Sequence, residues 1–492
     1  MDPPVNQPSS RQPVSGRRGT AWRDALLLTA LAAALRVVFV HMPIQCDEAA
    51  AYMRYVADAR RPIADYLTHY ALPNHHGLHE LAVILLHRLC GAGYPWLRLP
   101  ALLAGVAAVP MAYLLAWRLH GRAAGLLTAA LLAGSTWAVE YSWNARGHST
   151  ALLLVTLAAC LVSGSGPTVR RRAGIAAGVL LGLACYTVPT SLYVLPGLLL
   201  AALVCEPRQR RARVQTLARV AALAGLTLGL TLLPLGVSGD WARMLDNQFV
   251  RPLSWELLLR GLPDWAAGML DLASAGAAPA GLLAIGAALG LATRTRAARW
   301  PALVWLGVLP TLLVQRVLPP PRTLLFMLPF VYASAAIGAV ELWRGVASRR
   351  PAWPAALPRI GVALLIGLIC LPAALYAARY PRPWPTRNDW LADLSAVSGV
   401  VVASTAPDEP VVAQEGLIPV LRYHLARQGR PRQPVVRQLA HGARGVLVWQ
   451  PDSGLSPPTG ASLGGCDRGP VLFATAEYEV LRVSPAALAV RP

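Results

Sequence analysis

Asp47 and Glu48 stand side by side in "QCDEAAAYMRY", residues 45–55, directly after the first apolar run. Charge is scarce in this chain: 14% of residues are charged and 55% hydrophobic. A carboxylate at the centre of a bilayer costs about 2.5–3.5 kcal/mol on insertion scales, so the apolar run must end before the pair. That accounts for their position. Their presence has two readings, a solvated span edge or a functional pair at the membrane boundary. Tyr52 follows on the same segment. A second group, "HYALPNHHGLHE", places His69, His75, His76 and His79 within eleven positions and adds Glu80. Imidazoles at an interface suit contacts with a phosphate or with sugar hydroxyls. A zinc site would need a distant second ligand motif, and none is legible.

A third group, "VEYSWNARGHS", carries Glu140, Tyr141, Arg146 and His148. Tyr141 and Trp143 suit interface anchors, whereas an arginine at the mouth of a helix bundle calls for an acid or a ligand phosphate. The fourth, "LPPPRTLLFMLPF", fixes Arg322 behind three prolines. Such a guanidinium is either a receptor for a lipid phosphate or a snorkelling end cap.

The elements that must position these residues follow from composition. A mean hydropathy of +0.46 over 492 residues describes a polytopic membrane protein. All 45 basic residues are arginine, and the net charge of +21 is spread over short loops between apolar runs. That is the positive-inside pattern, not a nucleic-acid surface. The pattern predicts about eleven spans, near 23–41, 96–117, 123–138, 150–164, 173–186, 189–205, 217–236, 266–291, 302–316, 323–342 and 360–378. Residues 1–22 are expected to be disordered and cytoplasmic. The transmembrane domain covers 23–380, and its outer loop 42–95 carries the acidic motif. Within that loop "LHELAVILLHRLC" is too short and polar to cross, and reads as an interfacial or re-entrant helix.

After a proline-rich exit, 385–492 reads as a small extracytoplasmic α/β domain. "GVVVAS", "RGVLVWQ" and "YEVLRVS" are its strands and "GLIPVLRYHLARQG" its helix. The fold class is a polytopic α-helical membrane protein with this C-terminal addition. The topology sets Cys46, Cys90 and Cys466 on the outer face and leaves a disulfide among them open.

Taken together, "DEAAAY", "NHHGLHELAVILLHRLCG" and the run from "LRLPALLAG" to "EYSWNARGHS" resemble the GT-C membrane glycosyltransferases. The likeness is strongest to the protein O-mannosyltransferase and aminoarabinose-transferase branch, over roughly residues 20–165. The resemblance implies a bacterial cell-envelope enzyme of the inner (plasma) membrane, with its N-terminus in the cytoplasm. Its donor would be a polyprenyl-phosphate sugar, and its acceptor a lipid, glycan or protein hydroxyl on the outer face. Membrane lipids would be partners and nucleic acid would not. The resemblance makes Asp47, with Glu48 beside it, the catalytic pair, and assigns Arg146 and Arg322 to the donor phosphate. Tyr52, His75, His76, Glu140, Tyr141 and His148 would line the substrates. Some relatives use a divalent metal such as Mg or Mn and others none, so a cofactor is left open. Where relatives have His-Pro-Pro, this chain has His75-His76-Gly77. The rival reading is a transporter or flippase of a lipid-linked or small polar substrate. Against it, the polar residues gather in outer loops and no internal repeat is evident.

Overall fold

A computed structural model describes residues 14–58, 60–70, 75–91, 93–163, 171–205, 210–240, 244, 246, 250–274, 295–349, 394–414, 416–438, 444–449, 466–474 and 478–485. The described residues form two compact units. The first draws on Met1–Val38, His76–His79 and Leu99–Ala378, and the second on Phe39–His75, Glu80–Arg98 and Arg379–Pro492.

The first unit is helical. It begins with α1 (Val14–Val37), nine residues before the expected first span at 23. Pro13 precedes the helix and no proline follows until Pro43, which leaves the Arg-rich stretch free to continue it. Near its start, Asp24 is buried and accepts from Arg122 at 2.7 and 2.8 Å and from the Tyr113 hydroxyl at 2.8 Å.

Between α1 and the long helices lie four elements of the outer loop: α2 (Cys46–Ala51), a π-helical turn (Tyr52–Val56), α3 (Ile63–Thr68) and α4 (Gly77–Cys90). Then come α5 (Tyr94–His120), α6 (Arg122–Gly134), α7 (Thr136–Trp143), α8 (His148–Val162), α9 (Arg171–Thr187), α10 (Val194–Cys205), α11 (Arg210–Ser238) and α12 (Trp255–Ser274). The series of long helices ends with α13 (Arg296–Leu306), α14 (Val308–Gln315) and α15 (Leu328–Ser348).

Among the described residues, four stretches are long and apolar enough to cross a membrane: Tyr94–His120, Arg210–Ser238, Ala297–Gln315 and Pro321–Ser348. The bent pair α6 and α7, which turns by 59°, makes a fifth if it is one span. The expected span at 360–378, and much of that at 266–291, lie outside the described residues. Helices approach closely where small residues face one another. A Cβ on Gly182 of α9 would stand 2.7 Å from the Ala224 carbonyl of α11, the kind of small-residue contact on which membrane helices pack.

Arg36, within the apolar run of α1, is fully buried. It donates to the Leu132 and Ala133 carbonyls at 3.2 Å each, to Ser142 Oγ at 3.1 Å and to Ala32 O at 3.2 Å. Leu132 and Ala133 end α6, where helical carbonyls lack partners, so Arg36 satisfies the break between α6 and α7 and fixes its bend. Arg36→Leu is expected to leave those carbonyls dry, at about 1–3 kcal/mol each. A thermal melt of the purified protein would show the loss, with Arg36→Lys recovering only part of it.

α4, most of which belongs to the second unit, has 14 residues; at about 1.5 Å per residue it is shorter than the roughly 30 Å hydrocarbon core. The remainder comprises α16 (Leu394–Ser404), β1 (Val411–Ala413), α17 (Ile418–Arg427), β2 (Val435–Val436), β3 (Gly445–Trp449), β4 (Cys466–Ala474) and β5 (Glu479–Pro485). The strand order is β2-β1-β3-β5-β4. β1 pairs in parallel with β2 and β3, whereas β5 runs antiparallel to β3 and β4. Val412, Leu447, Trp449, Leu481 and Val483 form the sheet's apolar core.

"RGVLVWQ" and "YEVLRVS" are strands as expected, but "GVVVAS" is not; it ends α16. The buried positions there are Leu394, Val397, Ser398 and Val401, a spacing of i, i+3, i+4 and i+7 that only a helix satisfies. Cys90 is a free thiol.

Candidate active site

The two acids of the opening motif have different surroundings. Glu48 is 2% exposed and Arg98 fully buried. Arg98 grips Glu48 with two nitrogens, Nε to Oε1 at 2.8 Å and Nη2 to Oε2 at 2.7 Å. Its remaining hydrogens reach the carbonyls of Val40, Met42 and Pro43 at 2.9, 2.6 and 3.1 Å. Glu48 Oε2 also accepts from the Gln45 amide at 3.1 Å, the backward reach of a capping box. One guanidinium thus ties the segment after the first span to the start of the acidic helix. Asp47, next in sequence, is only half-buried. The geometry therefore divides the pair into a fixed acid and a more accessible one.

A ladder of rings continues from Arg98. Its guanidinium lies 5.1 Å over the Tyr94 ring, Tyr94 stacks on Tyr423 of α17 at 5.9 Å, and Arg427 covers both rings at 5.5 and 5.8 Å. Tyr52 meets Tyr423 edge-on at 5.1 Å and His87 at 5.6 Å. Its ring is spent on packing, and it is 8% exposed.

His75 lies among the rings of Tyr55, Tyr66 and Tyr70. Its Nδ1 is 3.3 Å from Glu80 Oε2, which also accepts from Tyr66 Oη at 2.9 Å. Burial pushes His75 down to about 4 despite the nearby carboxylate, so at neutral pH the imidazole is uncharged. The unfolded chain takes up this proton near pH 6.5 and the folded unit only near 4, so stability falls as pH drops through that window. Burial does the same to His424. Thermal melts from pH 7.5 to 4.5 are expected to show the decline, and His75→Phe is expected to flatten it.

In the first unit, His76, His79, Tyr141, Arg146 and His148 are all buried. His76 Nδ1 is 3.0 Å from the Thr187 carbonyl, which makes it the donor tautomer there, and His79 Nδ1 is 3.2 Å from Thr150 Oγ1. His148 packs edge-on against His76 at 4.9 Å and Tyr141 at 4.6 Å. Burial, and after it the charges of Arg146, His76 and Arg322, hold His148 well below the usual imidazole range, so both predicted phosphate-binding arginines lie within electrostatic reach of this side chain. Arg322 opens a 3-10 turn (Pro321–Met327) that runs into α15; the prolines set its place. Glu140 is half-buried on α7. Gly77 explains the departure from His-Pro-Pro: a Cβ there would collide with the Tyr186 ring.

Among the described residues, no group of three or more His, Cys, Asp or Glu side chains is arranged to hold a metal ion. Sequence reasoning missed Arg98, Tyr94, Tyr423 and Arg36. An arginine inside an apolar run was the available signal for Arg36 and Arg98.

Comparison with known proteins gives a consistent picture. Residues 78–235 match the model of the dolichyl-phosphate-mannose-protein mannosyltransferase family, about a third of the chain. No curated protein matches. Among solved structures, ArnT from Cupriavidus metallidurans bound to undecaprenyl phosphate superposes with a TM-score of 0.56 at 14% identity, covering 96% of this chain and 98% of that one. The Archaeoglobus fulgidus oligosaccharyltransferase tethered to an acceptor peptide gives 0.55 at 11%, covering 88% and 69%. The same organism's AglB, in complex with an inhibitory peptide and a dolichol-phosphate, gives 0.50 at 14%, covering 85% and 64%. At such identities the likeness is one of fold: this chain is a multi-pass membrane protein with the fold of the GT-C glycosyltransferases.

Proposed function

We propose that this protein is a membrane glycosyltransferase that moves a sugar from a polyprenyl-phosphate donor to an acceptor hydroxyl on the outer face of the membrane. The observation that carries the reading is the division of the acidic pair: Glu48 is locked by Arg98, and Asp47 sits more accessibly on the helix that this lock positions. Asp47 acts as the general base. Its carboxylate takes the acceptor's hydroxyl proton as that oxygen bonds to the anomeric carbon. The bond from that carbon to the phosphate oxygen breaks, and its electron pair leaves with the phosphate. Arg146 and Arg322 receive the developing charge, an electrostatic contribution that usually outweighs the others. A phosphate is a stable leaving anion, so no strong general acid is required. With one base and no enzyme nucleophile, the anomeric configuration inverts.

In this reading Glu48 is a positioning residue, and His76 and His148 line the substrates on the side of Arg146 and Arg322. Tyr52 and His75 support the acidic helix from within. The N-terminus faces the cytoplasm and residues 385–492 the outer side, as the arginine distribution favours.

The test is release of polyprenyl phosphate from a panel of polyprenyl-phosphate sugars by membranes carrying the chain, with an acceptor-containing extract. Sugar-dependent release, lost in Asp47→Asn, supports the transferase and identifies the donor. No release from any donor by demonstrably folded protein overturns it.

A further inference from the structure

A groove of about 990 Å³ runs along the acidic helix in the second unit. It is lined by Ala50, Met53 and Arg54, by Ile418, Pro419 and Arg422 of α17, and by the segment Pro431–Arg437. Ala50 lies three residues and Arg54 seven beyond Asp47 on one continuous helix, so the groove starts within a turn of the proposed base. Four of its lining residues are arginines, Arg54, Arg422, Arg432 and Arg437, all of them exposed. No acid is among the described residues that line it.

Two features define what fits. Arg432 and Arg437 lie on either side of β2, Arg54 on the π-helical turn and Arg422 on α17, so the guanidiniums are spread along a groove of about 990 Å³. One small anion does not span that. An extended ligand with repeated negative groups does. The lining between the guanidiniums is apolar, with Met53, Ile418 and Val436, which suits the C–H faces of sugar rings better than free phosphate. β2 is also the sheet edge, and Arg422 occupies one of its carbonyls, Val435 O, at 2.8 Å. That contact disfavours an added peptide strand.

We infer that this groove binds the acceptor, and that the acceptor is an anionic glycan carrying repeated carboxylate or phosphate groups. The inference rests on the transferase reading for the word acceptor, but the binding itself does not.

The experiment is fluorescence anisotropy of labelled oligogalacturonate with the full-length protein in phosphatidylcholine nanodiscs. Binding is expected, weakening as sodium chloride rises, with neutral maltodextrin giving none. Arg54→Gln combined with Arg432→Gln is expected to weaken it roughly tenfold, in line with the modest worth of exposed charge pairs. Arg432→Lys, a fold control that keeps the charge, is expected to retain most of it. Equal affinity in the wild type and the double glutamine variant would overturn the site. Oligoglutamate binding as tightly as the glycan, or complete displacement of the glycan by phosphatidic acid added to the discs, would overturn the glycan in favour of a peptide or a lipid. The titration requires no sugar transfer, so it stands or falls separately from the release assay.

Discussion

Asp47→Asn is expected to leave the protein folded and to lower sugar transfer by about 10²- to 10⁴-fold, the range for loss of a positioned general base. The substitution keeps the side chain's size and its capacity to accept a hydrogen bond, and removes only its basicity. Donor binding is therefore expected to be nearly unchanged, with the loss carried by kcat. Glu48→Gln makes the informative partner. Glu48 accepts two hydrogen bonds from Arg98 and one from the Gln45 amide, so its neutral analogue leaves a buried guanidinium without its counter-charge. It is expected to lose stability as well as rate. If Asp47→Asn retained full activity with Glu48→Gln inactive yet fully stable, the roles of the two acids would be reversed.

The second large effect concerns Arg98. Arg98→Gln is expected to cost about 3–5 kcal/mol, because it strands a buried carboxylate and leaves backbone carbonyls unsatisfied. A fall in melting temperature of the purified protein measures it. Arg98→Lys is expected to recover little, since one ammonium cannot reproduce a planar fork that serves Glu48, Val40, Met42 and Pro43 together. Should Arg98→Gln melt like the wild type, the account of how the acidic helix is held would fail. The double variant Glu48→Gln, Arg98→Gln is expected to be less damaged than the sum of its parts, because no lone charge remains buried.

The arginine-dense loops carried most of what was legible beforehand. They predicted helices where α5, α8 to α11 and α15 lie, and set the shorter α4 apart from them. Less legible were contacts that join residues far apart in sequence. Arg36 meets Leu132 and Ala133 about a hundred positions away, and Arg98 meets Glu48 fifty away. A positive-inside reading treats an arginine as a marker of sidedness, and so passes over one that is buried and bonded. The valines of "GVVVAS" misled for another reason. β-branched residues favour strands as a local preference, but burial at Val397 and Val401 follows a helical period, and packing decided. The candidate site was half legible. Residue types pointed to Asp47, Arg146, His148 and Arg322, whereas the unequal environments of Asp47 and Glu48 depend on Arg98, which no local pattern connects to them.

The π-helical turn at Tyr52–Val56, closed by the Ala57 amide on the Tyr52 carbonyl at 2.8 Å, bears on how the groove beside it can change. π turns arise from a single inserted residue, and they persist where they serve a site. That turn carries one more side chain between Asp47 and the groove than an α turn would. Deleting one residue there would restore an α turn and remove that side chain while the helix on either side kept its direction. In the transferase reading, a one-codon deletion could thus reshape the acceptor groove and leave Asp47 in place.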